Sequence, residues 1–129
     1  MKIINAEGGV LGRIAGYAAK QALLGEKIVI VNCNKIIITG NKKFIRENFE
    51  EKRRRVGSGQ HGPRYPRESY RIVKRTIRGM LPSHIKGRGR QIYKDIRCYN
   101  EVPEEFKDSK MISMAEKKIK SHELKEFAK

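Results

Sequence analysis

A helix between two apolar strands near the start of the chain constrains the fold more than any other feature. Residues 3–6, IINA, predict a strand, and residues 10–24 predict a helix because apolar residues recur at intervals of three and four. Residues 28–31, IVIV, are all β-branched, which is typical of a parallel strand covered on both faces. This order predicts a βαβ unit with a right-handed crossover, and therefore an α/β fold.

The apolar face of this first helix consists largely of small residues. Ala15, Ala18 and Ala22 lie on it, and Gly16 sits beside it. Small side chains let a helix approach a sheet closely. Gly25 follows the helix, where a left-handed cap residue is expected because glycine adopts that conformation at little cost.

The next segment predicts a further strand and a capped helix. Residues 36–39, IIIT, favour a strand, but the pattern leaves open whether it pairs in a hairpin or elsewhere in the sheet. Asn41 is a residue type that accepts a backbone hydrogen bond at a helix N-terminus, and a helical pattern follows over 42–55. The residues expected to face inward are Phe44, Ile45, Asn48 and Phe49.

The helix predicted over 68–81 carries two stripes of opposite character. Its apolar stripe consists of Tyr70, Val73, Ile77, Met80 and Leu81. The other, here called the basic stripe, consists of Arg71, Lys74, Arg75 and Arg78 and contains no acid. Surface helices usually mix both signs of charge at these spacings, so the basic stripe favours a bound anion over a merely solvated surface. A short helix leading into a last strand near 96–99 is expected to follow.

Positive charge is concentrated in one band, residues 52–97. The chain has a net charge of +16, and this band contributes +13, from 15 Lys and Arg against Glu68 and Asp95. Residues 1–51 contribute +3 and residues 98–129 contribute 0. Because concentrated like charges repel one another, the band predicts a polyanionic partner, of which nucleic acid is the commonest.

The middle of the band predicts a long irregular loop. Residues 56–67, VGSGQHGPRYPR, combine three glycines with two prolines. Residues 57–62 formally fit the GxGxxG dinucleotide motif, but that motif should follow a strand and open a helix, whereas here it runs into Pro63. We therefore interpret these glycines as part of a loop whose backbone can approach phosphates.

Signals for catalysis or for a cofactor are weak. Residues 9–12, GVLG, lie where a phosphate loop would lie, but they lack its Lys-Ser/Thr pair and are better explained as a tight turn. His61, His84 and His122 have no cysteine or carboxylate at metal-ligand spacing. We predict no enzymatic activity, no cofactor and no metal. A nucleotide-binding α/β enzyme with its ligand at this turn stays open as the alternative.

Length and cysteine content indicate one domain in a reducing compartment. At 129 residues the chain has the length of a single domain, and it contains no apolar run near the roughly 18 residues of a membrane span. The N-terminus, MKIINAEGG, lacks the apolar core of a signal peptide. Cys33 and Cys98 lie far apart in the sequence beside apolar residues, so we expect buried free thiols and a cytosolic location.

The composition of the band favours folded RNA over a DNA groove. Arginine, which is abundant there, holds phosphate through two hydrogen bonds and stacks on bases. Tyr65, Tyr70 and Tyr93 are interleaved with the cations and are candidates for stacking on bases or for packing in the core. Irregular basic loops suit RNA that is recognised by its shape and backbone.

The composition changes again beyond residue 102. Arginine disappears, Lys and Glu balance, and scattered apolar residues remain. We expect residues 1–102 to form the α/β domain and residues 103–129 to form a C-terminal extension. One or two short helical pieces in this extension are expected to pack on the domain or on a partner.

Three segments in this order resemble a known family. They are LGRIAGYAAKQALLGEKIVIVNCNKIIITGNK at 11–42, RTIRGMLP at 75–82 and GRGRQIYKDIRCY at 87–99. They are similar to the universal large-subunit ribosomal protein family thirteen, and the PRYP-containing centre resembles its archaeal and eukaryotic-type branch. The resemblance covers about residues 3–100.

The resemblance implies a three-layer α/β/α domain with a mostly parallel four-stranded sheet. It also implies a non-catalytic constituent of the large ribosomal subunit in the cytoplasm, with large-subunit rRNA and neighbouring ribosomal proteins as partners. A role in RNA regulation outside the ribosome through the same surface stays open. The residues expected to contact RNA are Arg13, Arg53, Arg54, Arg55, His61, Arg64, Arg67, Arg71, Lys74, Arg75, Arg78, Lys86, Arg88, Arg90 and Lys94.

Overall fold

The structure, a computed structural model, describes residues 1–55, 64–116 and 120–128. Their helices are α1 (Leu11–Leu23), α2 (Lys42–Arg54), α3 (Ser69–Met80) and α4 (Arg88–Asp95). Their strands are β1 (Lys2–Asn5), β2 (Ile28–Val31), β3 (Ile37–Thr39), β4 (Arg97–Cys98), β5 (Ile112–Ser113) and β6 (Ser121–Glu123). Short 3-10 helices occupy Cys33–Lys35, Glu104–Phe106 and Leu124–Glu126. None of the helices in these ranges combines the length and the apolar character that crossing a membrane requires.

A four-stranded sheet in the order β4–β2–β1–β5 organises the domain. Its three pairings are all parallel, and β1 runs beside β2 from Lys2 opposite Ile28 to Asn5 opposite Val31. α1 forms the crossover between these two strands, and every residue of β2 is buried. The predictions of a βαβ unit, an α/β fold and a mostly parallel four-stranded sheet are therefore confirmed.

The structure shows where β3 pairs, which the sequence left open, and it contains two strands that the sequence did not predict. β3, expected as a possible member of the main sheet, instead pairs antiparallel with β6 in a separate two-stranded sheet, with Ile37 opposite Glu123. The fourth position of the main sheet belongs to β5, which pairs with β1. The strand predicted near 96–99 is thus not the last one. β5 and β6 were not predicted because each is short and has no continuous apolar run like the one that marks β3.

The two faces of the sheet are covered by different structures. Alternate residues of the strands point to opposite faces, so Ile4 and Ile30 lie in the larger core, which also contains buried residues of α1, α2 and α3. Ile3, Val29 and Val31 lie in a smaller core on the other face. The residues packed against this smaller core are Tyr99, Val102, Phe106 and Met111. Residues 103–113 therefore pack on the domain, through this cluster and through β5.

Side-chain orientations on α2 and α3 differ in part from prediction. The Asn41 side chain accepts a hydrogen bond from the Lys43 backbone N–H at 3.0 Å, which confirms the predicted N-cap. Ile45 and Phe49 are buried as expected, but Phe44 is 69 % exposed and Asn48 is exposed as well. The reason is that α2 contacts the domain along one narrow seam, where residues four apart lie above one another.

α3 is buried over a wider sector than its predicted apolar stripe. Ile72 and Ser69 are buried beside Val73 and Ile77, while Met80 is 45 % exposed. The helix packs against α1, β4 and the 3-10 helix Cys33–Lys35, so several elements cover it. This packing holds α3 in place, which matters for function because the basic stripe lies on the opposite side of the same helix.

Small residues of α1 act as predicted, with one exception. Ala15, Ala18, Ala19 and Ala22 are buried in the larger core, where their size permits close packing. Gly16 is different, since a Cβ built on it would meet nothing within 4 Å, and close packing therefore does not require glycine there. Gly25 has φ +98°, which confirms a residue of positive φ just beyond this helix.

The two cysteines are buried and free, as expected, but they are neighbours in space. The Cys33 backbone N–H donates to the carbonyl of Tyr99, the residue after Cys98, at 3.1 Å. A hydrogen bond to Cys98, together with burial, raises the pKa of the Cys33 thiol. Both side chains therefore act as small apolar core residues, a role that free cysteine commonly takes.

Candidate nucleic-acid interface

The basic stripe is held in place from beneath by the core. Ile72, Val73 and Ile77 anchor α3 and are fully buried. The N-terminus of the helix is fixed from another part of the chain, because the Tyr70 backbone N–H donates to the Asn100 side-chain oxygen at 3.0 Å. The four cations of the stripe therefore project from a helix that is held in place, so their relative positions are largely fixed. Such an arrangement favours binding of a polyanion.

A cleft of about 350 Å³ lies where α4 and the segment 64–67 flank the basic stripe. We call it the Tyr93 cleft. Its lining includes five cations and two aromatic rings, namely Arg64, Arg71, Lys74, Arg75, Arg78, Tyr70 and Tyr93. Pro66 completes the lining, and no acidic side chain of the described residues contributes to it. The cleft therefore combines the two groups that bind nucleic acids, cations for phosphate and ring faces for bases.

Aromatic rings position several of these cations. Lys74 Nζ lies 4.8 Å from the ring centre of Tyr93, and the Arg71 guanidinium carbon lies 5.7 Å from that of Tyr70. Such cation–π contacts stabilise an exposed pair by roughly 0.5–1 kcal/mol. Each contact is weak, but together they restrain side chains that would otherwise sample many rotamers.

Tyr65 has a packing role beside the cleft. Its ring meets Phe49 edge-on at 5.7 Å, while Arg75 and Lys52 lie over it at 4.7 and 5.2 Å. Burial raises the pKa of its hydroxyl. Arg75 is fixed further because its guanidinium donates to the Arg64 carbonyl at 3.0 Å. Of the three interleaved tyrosines, Tyr70 and Tyr93 line the cleft and Tyr65 braces it.

Charge on the stripe is largely uncompensated by the protein. Among the described residues, the stripe forms one ion pair, between Arg71 Nε and Glu68 Oε2 at 3.1 Å. The Glu68 side chain does not cap α3, although Glu68 directly precedes this helix. Lys74, Arg75 and Arg78 form no salt bridge with any described carboxylate. Phosphate oxygens would supply the missing negative charge.

The cations at the end of α2 are bound within the protein to different degrees. Arg53 donates to the Phe127 carbonyl at 2.6 Å and lies 5.6 Å from the ring centre of Phe49. Burial, and then the nearby charge of Arg67, lowers the pKa of Arg53. Arg54 and Arg55 extend from the last turn and pair along the helix with Glu50 and Glu51 at 3.6 and 2.9 Å.

The remaining predicted contact residues are dispersed. Arg13 forms an ion pair with Glu116, whose hydrogen bond raises the pKa of this arginine, and Arg88 donates to the Leu23 carbonyl. Lys94 lines a separate depression beside Lys27 and Arg97. Others have exposed side chains, namely Arg67, Lys86 and Arg90. His61 lies outside the described residues.

The turn at residues 9–12 is closed by packing. A Cβ built on Gly9 would lie 2.4 Å from Ile14 Cδ1 and 3.2 Å from the Met114 carbonyl oxygen. The Gly8 carbonyl accepts a hydrogen bond from the Glu116 N–H at 3.0 Å, so the tail lies against this turn. The described residues also contain no cluster of three or more side chains suited to a metal ion. This close packing argues against a phosphate loop at residues 9–12 and supports a tight turn there.

Sequence reasoning did not identify two residues that shape the interface. Asn100 fixes the start of α3, and buried Gly89 lets α4 approach the chain at Pro82 and Ser83 closely. Asn100 gave no signal, because its partner Tyr70 lies 30 residues away. Gly89 lies in the basic KGRGR segment at 86–90, whose sequence gives no sign of its close approach to Pro82 and Ser83.

Comparison with known proteins gives a consistent result. A family model described as ribosomal protein L13 matches residues 1–105. A protein of Archaeoglobus fulgidus named large ribosomal subunit protein uL13 is 47% identical over 104 residues, covering 81% of this chain and 65% of the relative. Proteins of the same name from Methanococcus maripaludis and Methanosarcina barkeri are 46% and 44% identical, over 81% and 90% of this chain. The matches cover 77% and 82% of those two relatives.

Proposed function

Because the chain belongs to the ribosomal protein L13 family, we propose that it is a non-catalytic structural constituent of the large ribosomal subunit. In this role it binds large-subunit rRNA, lies beside other ribosomal proteins in the cytoplasmic ribosome and supports subunit assembly. Family membership supports the location in the large ribosomal subunit. The local geometry supports the way in which RNA is bound.

The single observation that carries the RNA-binding role is the acid-free face of α3. A helix anchored by buried Ile72, Val73 and Ile77 displays four cations on its other side, and only Arg71 among them is ion-paired within the described residues. Mutual repulsion among these charges opposes the stability of the free protein, although weak cation–π contacts offset part of that cost. Binding to phosphates neutralises these charges, which removes the repulsion and contributes to affinity.

The predicted contact residues divide by geometry into two groups. Five line the Tyr93 cleft and are proposed as the central RNA contacts, namely Arg64, Arg71, Lys74, Arg75 and Arg78. Arg54, Arg55, Arg67, Lys86, Arg90 and Lys94 are proposed as flanking contacts because their side chains are exposed. Arg13, Arg53 and Arg88 are proposed to act mainly within the fold, since each binds a distant residue of the chain. His61 stays a predicted contact.

Affinity in this proposal arises largely from the release of counterions. Each phosphate that a lysine or arginine neutralises frees a condensed cation, so binding weakens steeply as salt rises. Phosphate contacts alone carry no sequence information, and selectivity then depends on the shape of the folded RNA. A rigid stripe beside a cleft suits such recognition because the positions of its charges are already fixed in the free protein.

Salt dependence tests this mechanism. For binding to large-subunit rRNA, we expect the logarithm of the association constant to fall against the logarithm of salt concentration with a slope of several units. Lys74→Gln should reduce that slope by about 1, because one phosphate contact is lost. Lys107→Gln, an exposed residue outside the band, is the matched control and should leave the slope unchanged. Binding that hardly responds to salt would refute the mechanism.

A further inference from the structure

We propose that the Tyr93 cleft receives a single unpaired nucleotide of the RNA, with its base on the ring of Tyr93 and its phosphate among the stripe cations. This inference rests on the proposed function and names the kind of nucleotide that the site takes. Size, ring placement and charge support it independently.

The size of the cleft suits one nucleotide. Its volume of about 350 Å³ lies near the lower end of the roughly 300–1,000 Å³ that is typical of small-ligand pockets. Since bases inside a duplex are stacked and paired, the nucleotide that enters must come from a bulge, a loop or a strand end.

Tyr93 is placed to serve as a stacking surface. Its ring is half-buried in the cleft wall and is held edge-on by His84, with ring centres 6.5 Å apart. Lys74 Nζ lies 4.8 Å from the ring centre and is the only charged group over this ring among the described residues. A lysine on a flexible stem can move aside to a phosphate when a base arrives. Tyr70 is less available, because Arg71 Nε donates to its hydroxyl at 3.0 Å.

The charges around the cleft select a nucleotide over a neutral aromatic ligand. Lys74, Arg75 and Arg78 line the same cavity as the ring and form no ion pair within the described residues. A ligand with a planar group and an anionic group close together matches this lining. An acidic protein segment would satisfy the cations but would leave the ring unused, so RNA is the better match.

Duplexes that differ at one position test the inference. We would measure the affinity of the full chain for an RNA duplex with one bulged adenosine or uridine, for the same duplex with an abasic bulge, and for the fully paired duplex. The bulged base is expected to raise affinity about 10-fold over both controls, in keeping with the usual contribution of one stacked base. All measurements use one moderate salt concentration, because phosphate contacts depend on salt.

Substitutions of Tyr93 test whether its ring causes the preference for the bulged base. Tyr93→Leu should remove the preference for the bulged base while keeping the affinity for the paired duplex, and Tyr93→Phe should keep the preference. Thermal unfolding of both variants establishes whether they fold. If the Leu variant does not fold, loss of the preference in the Phe variant, which keeps the ring, would still overturn the inference. Equal binding of bulged, abasic and paired duplexes by the wild type would overturn the inference, as would a preference that survives Tyr93→Leu. Those results would leave the proposed rRNA binding intact, whereas absence of salt-sensitive binding to any RNA would overturn both.

Discussion

Replacing all four cations of the basic stripe by glutamate is expected to abolish RNA binding while leaving the chain folded. The quadruple variant, with Arg71, Lys74, Arg75 and Arg78 each changed to Glu, turns attraction to phosphate into repulsion. Affinity for large-subunit rRNA should fall by at least about a thousand-fold, because several phosphate contacts together supply most of the binding free energy. Filter binding or fluorescence anisotropy at low salt would measure the loss.

The fold should survive this change because the stripe lies outside the core. The variant loses the cation–π contacts of Arg71, Lys74 and Arg75, each of roughly 0.5–1 kcal/mol, and it gains relief from like-charge repulsion within the band. These effects oppose each other, so the thermal unfolding midpoint should stay within a few degrees or rise. An unfolded variant would show that the stripe has a structural role instead.

A charge-matched variant separates the stripe from net charge. Lys20, Lys27, Lys107 and Lys110 are exposed and lie outside the band, and their replacement by glutamate changes the total charge equally. This control should lose far less affinity, through long-range electrostatics alone. Equal losses in the two variants would indicate that binding depends on overall charge and not on the stripe.

Gly89→Ala should produce the largest loss of stability among single glycine substitutions described here. A Cβ at this position would lie 2.3 Å from the Ser83 carbonyl oxygen and 2.4 Å from that of Pro82, distances that real Cβ atoms essentially never show. The obstructing atoms belong to the backbone, so they cannot rotate away. We expect the free energy of unfolding to fall by about 3 kcal/mol, near the upper end for overpacking, as measured by chemical denaturation.

Function should fall along with stability in this variant. α4 carries Tyr93, and displacing its first turn moves that ring relative to the basic stripe, so affinity for RNA should drop as well. Gly79→Ala is the matched control, since a Cβ there meets nothing within 4 Å. In the last turn of α3 this change should be neutral or stabilise the protein by up to about 1 kcal/mol. A Gly89→Ala variant as stable as this control would contradict the close approach of α4 to the preceding segment.

Periodicity explains which parts of the fold could be predicted. α1 is long enough to show helical spacing, its small face indicated close packing, and the unbroken β-branched run of β2 indicated a strand covered on both faces. β5 and β6 have two and three residues, and their places are set by long-range pairing with β1 and β3. Nothing local in the tail sequence indicates that it supplies the edge strand of the central sheet.

In the site, too, features set by neighbouring residues could be predicted, whereas features set by distant residues could not. Charge and helical spacing identified the basic stripe, because these are properties of neighbouring residues. The internal roles of Arg13 and Arg53 could not be predicted, since their partners Glu116 and Phe127 lie 103 and 74 residues away. An arginine beside other arginines looks the same in sequence whether it contacts phosphate or a carbonyl of its own chain.

Co-sedimentation with large ribosomal subunits is the most direct test of the central claim. Subunits lacking this protein would be mixed with the wild-type chain or with the quadruple stripe variant and centrifuged at increasing salt. We expect the wild type to sediment with the subunit and to be released only at high salt, and the variant to stay in the supernatant at every concentration. A wild-type chain that does not sediment, or a stripe variant that sediments equally well, would contradict rRNA binding through this face.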